Sequence, residues 1–298
     1  MKIQVKTPAK INLILEILSK REDGFHEIQS IMQAISLYDC LNIEAEEIDS
    51  HVALRMTKDR NIIELSGNSS LIPYDETNLV YKAAELFLQK TRLSGKKINI
   101  HIEKNIPVAA GLAGGSSNAA GTLWGLNQLF DNILKTSELH ELASQMGSDI
   151  NFCLEGGTNI ATSRGEILSK SSTPDLNIAI IKPKNLFVSA KEAYTKYAAL
   201  SKKPEIKGLE EMKSVIFENN PDKIAKLLRN HLEKAILSDY SEIQEIKNYL
   251  IQKGCKNALM SGSGPSVFGI YEGEIDLSDA KPEWECFKVK TINFGIIR

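Results

Sequence analysis

The chain reads as an α+β protein of two domains, and three observations carry that reading. Its 298 residues exceed what one hydrophobic core ordinarily organises. Each half combines strand-like alternation with helix-like spacing, and the element order reads as an α+β first half and an α+β second half. Near residue 160 the character changes: Gly156-Gly157 precedes short strand-like runs, after which helices dominate. The expected division is 1–160 and 161–298.

Met1 to Leu18 is expected to form two short strands separated by Thr7-Pro8-Ala9. In the second, Ile11, Leu13, Leu15 and Ile17 share one face, while Lys10, Asn12 and Ile14 start the other. Ser19 to Gly24 is a polar turn before Phe25-His26. Ile28 to Leu41 is an apolar-rich run that periodicity leaves open between strand and helix, and further short strands are expected within Ile43 to Leu65. Thr77 to Gln89 has helical spacing, with Leu79, Ala83 and Leu86 on one face and Asp75 or Thr77 as the cap. Ile98, Ile100 and Ile102 alternate with Asn99 and His101, as in a half-buried strand.

That strand runs into the most informative stretch, Pro107 to Ala120, PVAAGLAGGSSNAA. Ala119, Leu123, Leu126 and Phe130 then recur at helical spacing. Gly111, Gly114 and Gly115 allow positive φ and close backbone approach, and Ser116 and Ser117 can cap the helix and offer hydroxyls. Free N–H groups and the helix dipole favour an anion there, so the loop reads as a phosphate cradle. It is neither a Walker A loop nor a dinucleotide GxGxxG, and a ligand-free strand-to-helix turn is the alternative.

A helix is expected at Ser137 to Met146, with Gly147 as its C-cap. Asp149 follows between apolar neighbours, either as a helix cap or as an acid held in a defined pose. In the second half, strands at Thr158 to Thr162 and Ile178 to Ile181 precede a helix at Ala190 to Leu200. Another starts at Asn220-Pro221 and places Ile224, Leu227, Leu228 and His231 on one face, and a third spans Ser241 to Lys253. Gly262-Ser263-Gly264-Pro265 turns between strands at Ala258 to Met260 and Ser266 to Tyr271, and a last strand is expected at Phe287 to Ile292.

Composition excludes several function classes. With 42% hydrophobic residues, 25% charged residues and a net charge of −2, the chain lacks the electrostatic footprint of a nucleic-acid or membrane-surface binder. Lys2 and Lys6 flank no apolar signal segment and no apolar run approaches membrane-spanning length, so a cytoplasmic location is expected. Cys40, Cys153, Cys255 and Cys286 form no CxxC pair, and the five histidines lack metal-ligand spacing, so free thiols are expected and no metal ligands are assigned. Asn68-Ser69-Ser70 matches a glycosylation acceptor only formally.

Three stretches, PAKINLILEI from Pro8, PVAAGLAGGSSNAA from Pro107 and SGSGPSVFGIY from Ser261, resemble in order and spacing the signature motifs of the GHMP kinases. The resemblance spans essentially the whole chain. It implies an N-terminal domain like domain 2 of ribosomal protein S5, a ferredoxin-like C-terminal domain, and ATP and acceptor meeting between them with Mg²⁺. Within the family, KREDGFHEIQSIMQAISLYD and GSDINFCLEGGTNIA look like the branch whose acceptor is a methylerythritol carried on a CDP handle, phosphorylated at its 2-hydroxyl. A homoserine or mevalonate type of kinase is the alternative, and a nucleotide-binding regulator without turnover is a further one. The partners implied are small molecules, ATP and a CDP-linked polyol, with no nucleic acid or membrane, on a monomer or weak homodimer.

By this resemblance Asp149 matches the general base and Lys10 the active-site lysine beside it. Asn12 would contact the substrate hydroxyl region. Pro107, the amides of Gly111, Leu112, Ala113, Gly114 and Gly115, and Ser116 and Ser117 would wrap the phosphates, with Asn78 and Lys104 near adenine and ribose. Ala113 stands where some members carry glycine, so its backbone is expected to keep φ < 0. His26 would read the cytosine edge while Phe25, where Tyr is often found, stacks on the ring, and Tyr194 matches a second stacking aromatic. Gly262 and Gly264 are expected to pack beside the phosphate loop.

Overall fold

The computed structural model describes residues 1–48 and 61–298. Two long strands, β1 (Lys2–Lys20) and β2 (His26–Glu47), form an antiparallel ribbon that organises the rest. The two short strands expected before Leu18 are thus one. Pro8 is accommodated by a register shift between Pro8 and Ala9, which a residue without an N–H can occupy. A second shift between Asn12 and Ile14 breaks the strict alternation, and Ile11, Leu13 and Ile14 are all fully buried. The Ile28 run is strand.

The first sheet has the order β3-β4-β2-β1-β8, with β3 (Ile62–Gly67), β4 (Lys96–Glu103) and β8 (Arg229–Asn230); β5 (Thr158–Ser163) pairs with β2 and with β6 (Ile167–Ser171). Strands expected between Glu47 and Asn61 lie largely outside the described residues. One face is covered by α1 (Leu79–Thr91), α2 (Gly114–Leu129), α3 (Thr136–Met146) and α4 (Ser148–Glu155). Helix α2 comes unusually close to the ribbon: a Cβ on Gly121 would stand 2.3 Å from the Thr7 methyl, so glycine is needed there. The cap of α1 is Asn78, whose side chain accepts from the Val80 N–H, and not Asp75 or Thr77.

The second sheet, order β11-β7-β10-β9, comprises β7 (Asn177–Pro183), β9 (Asn257–Met260), β10 (Val267–Tyr271) and β11 (Trp284–Lys290). Helices α5 (Ala190–Ala198), α6 (Leu209–Phe217), α7 (Pro221–Leu227), α8 (Glu233–Ile236) and α9 (Ser241–Gln252) surround it. Ile178, Ile180 and Phe268 on one side of this sheet share a core with Ile11, Leu13 and Ile35 of the ribbon. Ala179, Ile181 and Val267 on the other side share a core with Leu15, Ile17 and Ile28. A division at 160/161 falls inside β5, and β6 and β8 also belong to the first sheet.

His231 does not lie on the Pro221 helix. That helix stops at Leu227, and Arg229–Asn230 pair in parallel with Ile14 and Leu15, which turns His231 back onto the ribbon, where its Nδ1 accepts from the Ile17 N–H at 3.1 Å. No helix among the described residues is long and apolar enough to cross a membrane.

Candidate active site

A cavity of about 1030 Å³ runs along the ribbon, walled by the segment 107–118, the segment 188–198 and the Gly262-Ser263 turn. At one end lies the glycine-rich loop, entering α2. Gly111 has φ +74°, and an added Cβ would stand 2.1 Å from the Ser261 carbonyl oxygen, so only glycine fits. The loop is clamped from two sides: the Leu112 carbonyl accepts from the Lys10 N–H at 3.1 Å, and the Gly111 carbonyl accepts from the Ser261 hydroxyl at 3.0 Å. Pro107, Gly111, Ala113, Gly114, Gly115 and Ser116 line the cavity.

Three details of the loop depart from expectation. Ala113 is the N-cap of α2 at φ +57°, in the left-handed region, where an L-residue carries a strain of about 1–2 kcal/mol. Leu112, whose amide is expected beside the phosphates, is fully buried in the core and does not line the cavity. Ser117 neither caps the helix nor faces the cavity: fully buried, its hydroxyl donates to the Pro8 carbonyl at 2.6 Å. Of the two serines, Ser116 is the one exposed to a ligand.

Lys104 and Asn78 line the same end. The Lys104 ammonium is 2.9 Å from the point a Cβ of Gly114 would occupy, at the start of α2. It is held there by a buried ion pair with Asp39, whose other oxygen accepts from the Asn105 and Ile106 N–H groups at 2.7 and 2.8 Å. Asn78 spends its carbonyl oxygen on the α1 cap and donates its amide to the Pro73 carbonyl.

Midway along the cavity Lys10 Nζ stands 3.4 Å from Asp149 Oδ2, the lysine head buried and the carboxylate about one-third exposed. Asp149 occupies the first turn of α4, so the helix dipole favours its negative charge. The Lys10 ammonium also donates to Asn12 Oδ1 at 2.8 Å, and Asn12 in turn donates to the Ser30 hydroxyl at 2.9 Å. Both ends of the Asn12 amide are therefore committed to protein. Behind the pair, burial and then the Asp149 charge push the Cys153 thiol up to about 12, an inert thiol.

At the far end, Phe25, His26 and Tyr194 come together. The His26 and Tyr194 rings stack with centroids 5.1 Å apart. Burial first, then the Lys20 and Lys203 cations, hold the imidazole below its ordinary value, so it is neutral at pH 7. Phe25 is 55% exposed. Its ring faces a residue that the motifs did not single out, Arg164, whose guanidinium carbon lies 5.1 Å from the ring centroid. Gly262 and Ser263 line the cavity, whereas Gly264 faces Met260 behind it.

The arrangement has counterparts among known proteins. Residues 78–163 match the family model for the GHMP kinases N terminal domain, and residues 208–290 match that for the GHMP kinases C terminal. The chain is 42% identical over 287 residues, 96% of its own length and 95% of the relative's, to the 4-diphosphocytidyl-2-C-methyl-D-erythritol kinase of Caldicellulosiruptor bescii. It is 40% identical to that of Bacillus velezensis, over 92% of this chain and 90% of that one. A crystal structure of 4-(cytidine 5'-diphospho)-2C-methyl-D-erythritol kinase superposes with a TM-score of 0.75 at 27% identity, covering 98% of this chain and 99% of that one. The homoserine kinase of Cytophaga hutchinsonii, at 17% identity and a TM-score of 0.72 over 99% of this chain and 96% of that one, shares the fold. The chain belongs to the GHMP kinases and, within them, to the family of 4-diphosphocytidyl-2-C-methyl-D-erythritol kinases.

Proposed function

We propose that this protein transfers the terminal phosphoryl group of ATP to the 2-hydroxyl of 4-diphosphocytidyl-2-C-methyl-D-erythritol, a step of the non-mevalonate route to isoprenoid precursors. The observation that carries the reading is the position of the Lys10–Asp149 pair, midway between a phosphate loop and a cluster of aromatic rings in one cavity. Phosphoryl transfer asks a protein chiefly for positioning and charge neutralisation. The amides of the loop and the α2 dipole receive the triphosphate, with the Lys104 ammonium adding charge at the helix start. Asp149 orients the acceptor hydroxyl and takes its proton as the oxygen–phosphorus bond forms and the bond to the leaving diphosphate breaks. Lys10 fixes the carboxylate and faces the charge that develops between the two oxygens. Asn12 acts through Lys10, holding its ammonium in place.

Mg²⁺ belongs to this reading as the companion of ATP. Among the described residues no three His, Cys, Asp or Glu side chains gather into a cluster, and Asp149 is the carboxylate that lines the cavity. That set, with the Ser116 hydroxyl, suits an ion that takes most of its ligands from phosphate and water. When bound, Mg²⁺ neutralises triphosphate charge.

The base end supports the acceptor's identity. A neutral His26 offers one donor and one acceptor to a cytosine edge, and Phe25 and Tyr194 offer ring faces. Coupled ATP-consumption assays with the CDP-linked alcohol, homoserine and mevalonate test the assignment. Turnover of the first is expected; turnover of homoserine or mevalonate without it overturns the reading.

A further inference from the structure

We infer that Arg164 is a positioning residue for the acceptor, clamping Phe25 from one face so that the other is presented to the base. The inference rests on the proposed recognition of a cytidine nucleotide, and it starts from a problem that Phe25 poses. The ring sits 55% exposed on a hairpin turn and has no hydroxyl by which the protein could anchor it. An exposed, untethered ring loses entropy when a ligand orders it, which weakens binding.

The structure supplies the missing partner from a distant turn. Ser163–Glu166 joins β5 to β6 through two left-handed residues, Ser163 at φ +63° and Gly165 at φ +107°. Within it Glu166 grips Arg164 twice, accepting from its backbone N–H at 2.8 Å and from its Nε at 3.3 Å. Glu166 also accepts from the Ser163 hydroxyl at 3.1 Å, and that hydroxyl receives Arg21 Nη1 at 3.2 Å. Arg21 belongs to the turn that carries Phe25, whose backbone carbonyl accepts from the Arg21 N–H at 2.9 Å. The two turns are thus tied together at Arg21–Ser163, and Arg164 is held at the point where its guanidinium covers the Phe25 ring. A planar cation on one face leaves the opposite face of the quadrupole for a base to stack on.

The clamp is tested by calorimetric titration of cytidine, CMP and CDP into the wild type, Arg164→Ala, Arg164→Lys, Phe25→Leu and the Arg164→Ala/Phe25→Leu pair, with melting temperatures recorded for each. Arg164→Ala is expected to weaken all three ligands by the same factor, about three- to fivefold for a contact of this type, and Arg164→Lys by less. In turnover the loss appears in KM for the CDP-linked alcohol, with kcat and KM for ATP at wild-type values. In the Phe25→Leu background Arg164→Ala causes no further loss. Three results overturn the clamp: unchanged affinity in Arg164→Ala, a loss confined to CMP and CDP, which signals a direct phosphate contact, or full additivity with Phe25→Leu. A wild type that binds none of the three ligands overturns the acceptor assignment itself, an outcome recognisable before any variant is compared.

Discussion

At the glycine-loop end the cavity is lined mainly by one contiguous segment, Gly111 and Ala113 to Ser116, fixed by hydrogen bonds to Lys10 and Ser261, with Asn78 and Lys104 beside it. At the opposite end the lining consists of side chains from separate turns and a helix: Phe25 and His26, Arg164, and Tyr194. The first end is rigid because its backbone is clamped; the second is held by ring contacts and a turn-to-turn tie. Backbone sites of the first kind tolerate few residues and recognise what all triphosphates share. Side-chain sites of the second kind can be remodelled one residue at a time, which suits the part of the site that must choose an acceptor.

The largest expected effect lies between the two ends. Asp149→Asn keeps the shape of the side chain but cannot take a proton, and kcat should fall by about 10²–10⁴-fold while ATP affinity measured by titration stays within a few-fold. A kcat within threefold of wild type would remove Asp149 from the chemistry. Next comes Gly111→Ala, which forces a Cβ into the Ser261 carbonyl at a positive φ and should cost about 2–3 kcal/mol in urea unfolding. KM for ATP should rise with it and KM for the CDP-linked alcohol should not; equal rises in both would erase the division between the ends.

The two adjacent serines sharpen the same comparison. Ser117→Ala leaves the buried Pro8 carbonyl without its hydroxyl partner and should cost about 1–3 kcal/mol in stability. Ser116→Ala should leave the melting temperature alone and raise KM for ATP. A reversal of these two outcomes would mean that the hydroxyl facing the ligand has been misassigned.

A subtler effect concerns pH at the base end. His26 is neutral in the fold, held below the ordinary value of 6.5 by burial and neighbouring lysines. KM for the CDP-linked alcohol should therefore be flat above that pH and rise only as the imidazole protonates below it, with KM for ATP unaffected. The same sign governs stability: the unfolded chain takes up the proton first, so any contribution is full above 6.5 and is lost as pH falls through the depressed value. A KM that rises toward alkaline pH would contradict the assignment. The smallest effect is expected for Ala113→Gly, which relieves a left-handed alanine and should change unfolding stability by no more than about 1 kcal/mol.

How far the sequence discloses each end follows from the same contrast. The glycine-rich loop is legible as a tight strand-to-helix turn because its residues are adjacent and glycine reports backbone geometry directly. Lys10 and Asp149 are legible only through family motifs, since a strand lysine and an aspartate at a helix start have commoner structural uses. Arg164 escapes altogether: its partner Phe25 lies on a turn that only β5–β2 pairing brings near, and no local pattern encodes that proximity. The merging of the first two strands is hidden for a related reason, because a proline reads locally as a break while the bulge that absorbs it depends on the partner strand. Ala113 shows the limit of residue-type reasoning in the other direction, since its positive φ is imposed by what the loop must do on either side.

The shared cores of the β1–β2 ribbon have a kinetic consequence. Ile11, Leu13 and Ile35 share one buried cluster with Ile178, Ile180 and Phe268, so the two sheets are parts of one apolar interior. Swinging them apart as two bodies would expose that interior to water, which opposes the hinge opening common where domains meet through polar surfaces. Nucleotide entry and product departure must then proceed by movements of the cleft's rim, and the rate of exchange should respond to substitutions in the turns at its mouth far more than to any change at the junction of the two halves.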